Sequence, residues 1–240
     1  MRGIFVRVEV ILSPEEVVHH QLAGWVCVVI DVFRFTTTIL TALEAGMERF
    51  FPVDGVEEAL SLKKSHPELL LAGERNALQV PGFDFGNSPL EHYGKNYAGG
   101  ELVFSTTNGT KAVQAARGAD AVVLACLRSA QAVADYLKGQ GRDVLFLPAG
   151  LEGKFSLEDT WCAGLMAKLL QAGEYGDGAQ AAMLLHEHVP LEELAHSAHG
   201  RRLQALGLWD DLHFCLECSV SQGVVLWDQE TGWGALARER

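Results

Sequence analysis

The stretch from Trp25 to Ile39, "WVCVVIDVFRFTTTI", decides the class of fold to expect. Its first six residues form an unbroken apolar run rich in β-branched side chains, which suits a strand covered on both faces. The run stops at Asp31. Arg34 and three hydroxyl residues, Thr36, Thr37 and Thr38, follow at once, opening a helical pattern that continues to Ala45. Strand, polar turn and helix in this order make the first half of a βαβ unit. In sheets of that kind, ligands bind beyond the carboxyl ends of strands, so a charged, hydroxyl-rich turn there is a candidate site.

The same alternation extends along the chain. Strands are expected at "FVRVEVI", "RFFPV", "LLLA", "ELVFS", "AVVLACL" and "DVLFLPA". Helices are expected at Thr36–Ala45, Val56–Ser65, Thr110–Arg117, Ala130–Lys138 and Ser156–Gln171, with more from about Gly178 to Leu206. The closing "GVVLWDQETGWGALA" reads as a hairpin. This pattern predicts an α/β fold, with a largely parallel sheet and helices on both faces, ending in C-terminal helices and a hairpin. No Pro/Ser-rich linker interrupts it, so residues 1–240 are expected to form a single domain. Residues 25–80 and 100–155 each run strand, Thr-rich turn, helix, strand, helix, strand, with an Ala-Gly after the first helix at Ala45-Gly46 and again near Ala116 and Gly118. Two related βαβαβ halves facing each other would give this pattern, and so would ordinary reuse of α/β parts.

Composition narrows the partners. Asp and Glu number 31 against 19 Lys and Arg, a formal charge of −12. Such a surface repels nucleic acid and anionic membrane, and neither is an expected partner. The opening "MRGIFVRVEVILSPEE" has no apolar core of signal-peptide length, and no run approaches the ~18 apolar residues of a membrane span. Five Cys with scattered spacing, among them Cys215 and Cys218, fit a reduced cytoplasm better than a disulfide framework. Trp227 and Trp233 in the terminal hairpin suggest a homodimer surface.

The polar residues after each expected strand are Asp31 and Arg34, Glu74 and Arg75, Thr106 with Thr107 and Asn108, Arg128, and Glu152 with Lys154. All could share one rim. "STTNGTKA" joins a strand to a helix through hydroxyls, Asn108 and Gly109, the ingredients of an anion seat or of an ordinary helix cap. The glycine-rich "GFDFGNSPLE" carries Asp84, free to face a site or to form an Asx-turn to Gly86. Ser156 can cap the helix that follows it, with Asp159 in a near capping box, leaving one of Glu158 and Asp159 to reach inward. So many carboxylates beside arginines suggest a hard divalent cation, Mg2+, with Asp31, Glu74, Asp84, Glu158 and Asp159 as candidate ligands. The histidines look less informative: His186 and His188 point apart on a helix, while His196 and His199 share a face and are expected in solvent.

Common nucleotide and hydrolase motifs are missing: no Walker loop, no Gly-x-Gly-x-x-Gly after a strand and no Gly-x-Ser-x-Gly elbow. "DVFRFT" is similar to the Asp-x-Asp-x-Thr loop of haloacid-dehalogenase-like phosphatases, but Phe33 stands where the second acid belongs.

Taken together, "DVFRFTTTI", "GER", "GFDFGNSPLE", "STTNGTKA", "FSLEDTWCAG" and the tail from "HGRRL" to "GLWDDL" resemble the 2-phosphosulfolactate phosphatase family of coenzyme M biosynthesis. Ser105, Leu151 and Ser129 depart from residues common in that family. The resemblance implies a cytoplasmic, Mg2+-dependent phosphatase that releases phosphate from a small phosphorylated hydroxy acid bearing a sulfonate. Such a substrate carries about four negative charges at neutral pH. On this reading Asp31 holds the metal or attacks phosphorus. Arg34 pairs with phosphoryl oxygens, and Glu74 acts beside Asp31. Thr36, Thr37, Thr38, Thr106, Thr107, Asn108 and Gly109 supply donors, while Arg128 and Lys154 seat the sulfonate or carboxylate.

Overall fold

The computed structural model describes residues 6–238; Phe5, the first residue of the expected "FVRVEVI" strand, lies outside them. In chain order the elements are β1 (Arg7–Val10), β2 (Trp25–Ile30), α1 (Phe35–Glu44), β3 (Arg49–Pro52), α2 (Val56–Ser65), β4 (Leu70–Arg75), β5 (Leu78–Gln79), β6 (Glu101–Ser105), α3 (Gly109–Ala115), β7 (Ala121–Ala125), α4 (Ala130–Gln140), β8 (Asp143–Pro148), α5 (Leu157–Leu170), β9 (Glu174–Tyr175), α6 (Asp177–His188), α7 (Ala198–Ala205), α8 (Trp209–Cys215), β10 (Val225–Trp227) and β11 (Gly234–Leu236). Short 3-10 turns join several of these. Among the described residues no helix is long and apolar enough to cross a membrane.

The strands form one sheet in the order β5-β4-β6-β3-β11-β10-β7-β2-β8-β1-β9. It is mostly parallel, as the buried apolar runs predict. The order has a further property. β2 lies between β7 and β8, parallel to both, and β6 lies between β3 and β4, parallel to both. The leading strand of residues 25–80 is thus inserted into residues 100–155, and the leading strand of 100–155 into 25–80. Between the two parallel blocks sits the C-terminal hairpin. β10 pairs antiparallel with β7, β11 with β3, and the two with each other. Three antiparallel steps reverse direction, so β2 and β6 run in opposite senses.

Helices cover both faces. On one, α1 and α3 are packed in a core shared by both blocks: Val29 and Leu145 from one, Phe50 and Phe104 from the other, with Phe35 and Val113 between them. Phe35 meets Phe104 edge to face at 5.3 Å between centroids. Full burial of side chains this large contributes roughly 1.5–3 kcal/mol each. On the opposite face α4, α5 and α6 cover the block containing β2, and α2 covers the block containing β6. With one core pulling on both blocks, the carboxyl ends of β2 and β6 meet although four strands separate them in the sheet.

The hairpin is therefore an interior element. Trp227 is buried, and Trp233 packs on Phe51 with the Arg49 guanidinium stacked on its ring. Trp227 therefore offers no exposed surface, while Trp233 remains partly exposed.

Candidate active site

Asp31 ends β2 in a backbone turn that its own neighbours tie down. Thr36 Oγ1 donates to the Asp31 carbonyl at 2.7 Å and accepts from the Asp31 N–H at 3.1 Å. Thr37 Oγ1 donates to the Val32 carbonyl, and Thr38 Oγ1 to those of Arg34 and Asn87. Thr and Ser in a first helical turn favour such local bonds to nearby backbone groups. The three hydroxyls thus fix the turn, and none lines the cavity beside it. The expectation that they bind substrate is corrected: they hold Asp31 and Arg34 in place.

The Asp31 carboxylate is buried and accepts from the Phe35 N–H through Oδ1 at 3.3 Å. Burial raises its pKa to about 6. His199 opposes the rise, and Glu74 and Glu158 add to it through repulsion. The carboxylate faces a narrow polar cavity of about 30 Å³ lined by Asp31, Arg34, Glu74, Asn87, His199 and Arg202, among others. Thr106, Thr107 and Asn108 form another part of its wall.

Glu74 reaches this cavity from within β4, which runs on past the expected "LLLA" because Gly73 and Glu74 remain paired. Gly73 has φ +152 and lies so close to the Ser105 carbonyl that no side chain fits. Glu74 Oε1 accepts from the Thr107 N–H at 2.9 Å and Oε2 from the Ala77 N–H at 2.7 Å. Gly109, at the start of α3, is close-packed for a different reason: a Cβ there would sit 2.7 Å from Asp31 Oδ2 and inside the Phe35 ring. Arg34 donates through Nη1 to Asp211 on α8 at 2.5 Å and through Nη2 to the Ala77 carbonyl at 2.8 Å. Its Nε has no hydrogen-bond partner among the described residues.

Two positively charged candidates are placed elsewhere. Arg128 stacks on Phe214, 3.8 Å from the ring centroid, and bonds the Phe214 carbonyl and Glu217. Lys154 is exposed in the turn after β8 and does not line the cavity. Arg75 ties β4 to β6 through Ser105. The cation that does reach the cavity mouth, Arg202 of α7, bridges Glu152 at 3.0 Å and Asn76 at 3.3 Å.

His199 was expected in solvent and is found in the cavity wall. Its side chain is only 14% exposed, its Nδ1 lies 3.1 Å from Oε1 of the buried Glu158, and its ring meets Phe33 edge-on. The sequence placed His199 on a face with His196. Its actual partner comes from α5, 41 positions earlier.

The five acids proposed as metal ligands separate. Asp84 accepts from the Leu71 N–H and Lys63. The Asx-turn to Gly86 is also absent, because Glu91 accepts that N–H. Asp159 accepts the Val32 and Gly150 N–H groups, clamping the turns after β2 and β8, while its own N–H bonds the Ser156 cap. Burial, with Glu158 and Asp31 nearby, raises its pKa well above the ordinary range. Glu158 is committed to His199. Among the described residues no three of His, Cys, Asp and Glu cluster so as to hold a metal by themselves. A Mg2+ ion ordinarily needs only one or two carboxylates, the rest of its shell being water and substrate phosphate. Asp31 and Glu74 meet that need. Asn87 adds a buried Oδ1 in the same wall that accepts no hydrogen bond among the described residues.

Comparison with known proteins places the chain. A family model described as 2-phosphosulpholactate phosphatase matches residues 11–230. A probable 2-phosphosulfolactate phosphatase of Carboxydothermus hydrogenoformans is 40% identical over 218 residues, 89% of this chain and 90% of its own. Proteins of the same name from Thermotoga petrophila and Deinococcus radiodurans are 42% and 41% identical, over 87% and 82% of this chain and 89% and 85% of theirs. With a match over nearly its whole length, the chain belongs to the 2-phosphosulpholactate phosphatase family of phosphoric monoester hydrolases.

Proposed function

We propose that the chain hydrolyses 2-phosphosulfolactate to sulfolactate and phosphate with the aid of Mg2+, as a cytoplasmic enzyme of coenzyme M biosynthesis. The observation that carries this reading is the convergence of Asp31, Glu74 and Asn87 on one polar cavity between two strand ends. Charge balance supports the cation. The cavity's two guanidiniums are already paired, Arg34 with Asp211 and Arg202 with Glu152. A substrate carrying about four negative charges therefore meets no surplus of positive charge from the chain alone. Asp31, Glu74 and Asn87 are the oxygens that would hold the ion, which when bound supplies Lewis-acid stabilisation of phosphoryl charge. Arg34, with Nε free, orients a phosphoryl oxygen. The Thr106–Asn108 wall encloses the substrate and keeps out bulk water. Water, rather than Asp31, attacks phosphorus, since Phe33 occupies the place of a second acid. The free state of all five cysteines is consistent with a reducing compartment.

The decisive assay is phosphate release from racemic 2-phosphosulfolactate, with Mg2+ and with chelator. Mg2+-dependent release is expected, with no labelled phosphate trapped on the protein in an acid quench. Folded protein that releases none excludes this substrate. Label on Asp31 replaces the water route with an aspartyl-phosphate.

A further inference from the structure

We propose that His199 is the catalytic acid that protonates the leaving oxygen, and that Glu158 is the positioning residue that aims it. This role rests on the phosphatase reading above. The departing group in that reaction is the alkoxide of a hydroxy acid, a poor leaving group, and a proton delivered as the P–O bond breaks is typically worth 10²–10⁴-fold in rate.

Few groups in the cavity wall can deliver that proton. Arg34 and Arg202 do not deprotonate in proteins. Thr106, Thr107, Asn87 and Asn108 are too weakly acidic. Both Glu74 oxygens accept backbone N–H bonds, and in the reading above Asp31 is taken up by the ion. That leaves His199. Its Nδ1 faces Glu158 Oε1 at 3.1 Å. A buried carboxylate accepts hydrogen bonds, so Nδ1 carries the hydrogen and the ring is held in one orientation. Phe33, edge-on at 5.9 Å between centroids, limits its rotation from another side. The other nitrogen, Nε2, has no hydrogen-bond partner among the described residues and is the one left to address the cavity. An imidazole with one nitrogen held by a buried carboxylate and the other facing a cavity is the arrangement that orients acid–base histidines.

The step balances as follows. Water oxygen bonds to phosphorus while the bond from phosphorus to the ester oxygen breaks. The electron pair of that bond passes to the ester oxygen, which takes the proton from Nε2 and leaves as the alcohol. One proton of the attacking water stays on phosphate, and the other returns to Nε2 through solvent.

Replacing the ester oxygen by sulfur separates protonation from every other role, because a thiolate leaves without a proton. Phosphate release from 2-phosphosulfolactate and from its sulfur-bridged analogue is measured for the Mg2+-supplemented wild type, for His199→Asn and for Glu158→Gln. The proposal expects His199→Asn to lose 10²–10⁴-fold in kcat on the oxygen ester and less than about tenfold on the sulfur ester. Glu158→Gln, which keeps the imidazole but loosens it, shows the same selectivity with a smaller loss, and it carries the test if His199→Asn does not fold. Equal losses on both esters overturn the role of His199 and leave the phosphatase reading intact. A folded wild type inert on the oxygen ester overturns the phosphatase reading, and this assignment with it.

Discussion

Arg34 and Asp211, 177 positions apart in sequence, form an ion pair of 2.5 Å in which each side chain is only 4% exposed. Asp211 Oδ1 also accepts from Ser88 Oγ at 2.5 Å. The pair joins the turn after β2 to α8 and sets the direction in which Arg34 faces the cavity. Removing one partner strands a buried charge, at a typical cost of about 3–5 kcal/mol. Asp211→Ala is expected to show that loss in urea unfolding, while a double replacement by Met and Leu recovers much of it. Neither variant retains activity, since Arg34 is unaimed in one and missing in the other.

Asp31 gives a case where loss of function brings a gain in stability. Its folded pKa of about 6 lies above the ordinary 3.8, so the folded chain holds this proton more tightly than the unfolded one. The ionised carboxylate therefore subtracts from stability in full above pH 6, and the penalty fades as pH falls through 6 towards 3.8. In metal-free protein, Asp31→Asn should abolish activity and raise stability by about 1–3 kcal/mol at pH 8. The gain should all but vanish at pH 4, which thermal melts at the two pH values would show. An unchanged melting temperature at pH 8 would contradict the burial argument.

His92 gives the opposite dependence. Burial against Phe85 lowers its pKa to about 4, and Nδ1 lies 3.0 Å from the Tyr97 hydroxyl while Nε2 has no partner among the described residues. The unfolded chain takes up this proton near pH 6.5 and the folded chain only near 4. Stability from this group is complete above 6.5 and is lost as pH falls towards 4, by up to about 3 kcal/mol. His92→Gln should flatten that part of the stability–pH curve in denaturant titrations. Identical slopes in both proteins would mean that other groups set it.

Gly109 tests how tightly the two strand ends are joined. A methyl group there would overlap the Phe35 ring and crowd Asp31 Oδ2. Overpacking of this kind typically costs 1–3 kcal/mol. Gly109→Ala should lose that stability and at least tenfold in kcat, because the displaced atoms include the Asp31 carboxylate. Full activity in the variant would show that the two ends move independently.

Local order in the sequence foretold much of this molecule. The apolar run Trp25–Ile30 is a strand and Val56–Ser65 a helix at the expected bounds, because period and punctuation are properties of neighbouring residues. Asp31, Arg34, Glu74 and the Thr106–Asn108 segment do meet at one cavity, because strand ends attract polar turns. What the sequence left hidden depends on distant partners. Nothing near His199 shows that Glu158 will face it, and nothing near Arg34 shows Asp211. Thr36, Thr37 and Thr38 misled for the converse reason: hydroxyls suited to a ligand are also suited to carbonyls one turn away, and the nearer partner prevailed. Arg128 was drawn off by the face of Phe214, an aromatic neighbour that only α8 supplies.

The position of the last hairpin bears on how the protein is made. β10 and β11 lie at the middle of the sheet, and among the described residues every strand pairing that links the two parallel blocks passes through them. A nascent chain emerging from the ribosome can assemble the neighbours of β7 and of β3 early, but it keeps two open sheet edges until residue 236 is free. Unpaired edges of this kind invite pairing with other chains. Exposure to aggregation therefore persists until this hairpin is in place, and a chain lacking residues 225–236 would have two sides with no strand to join them.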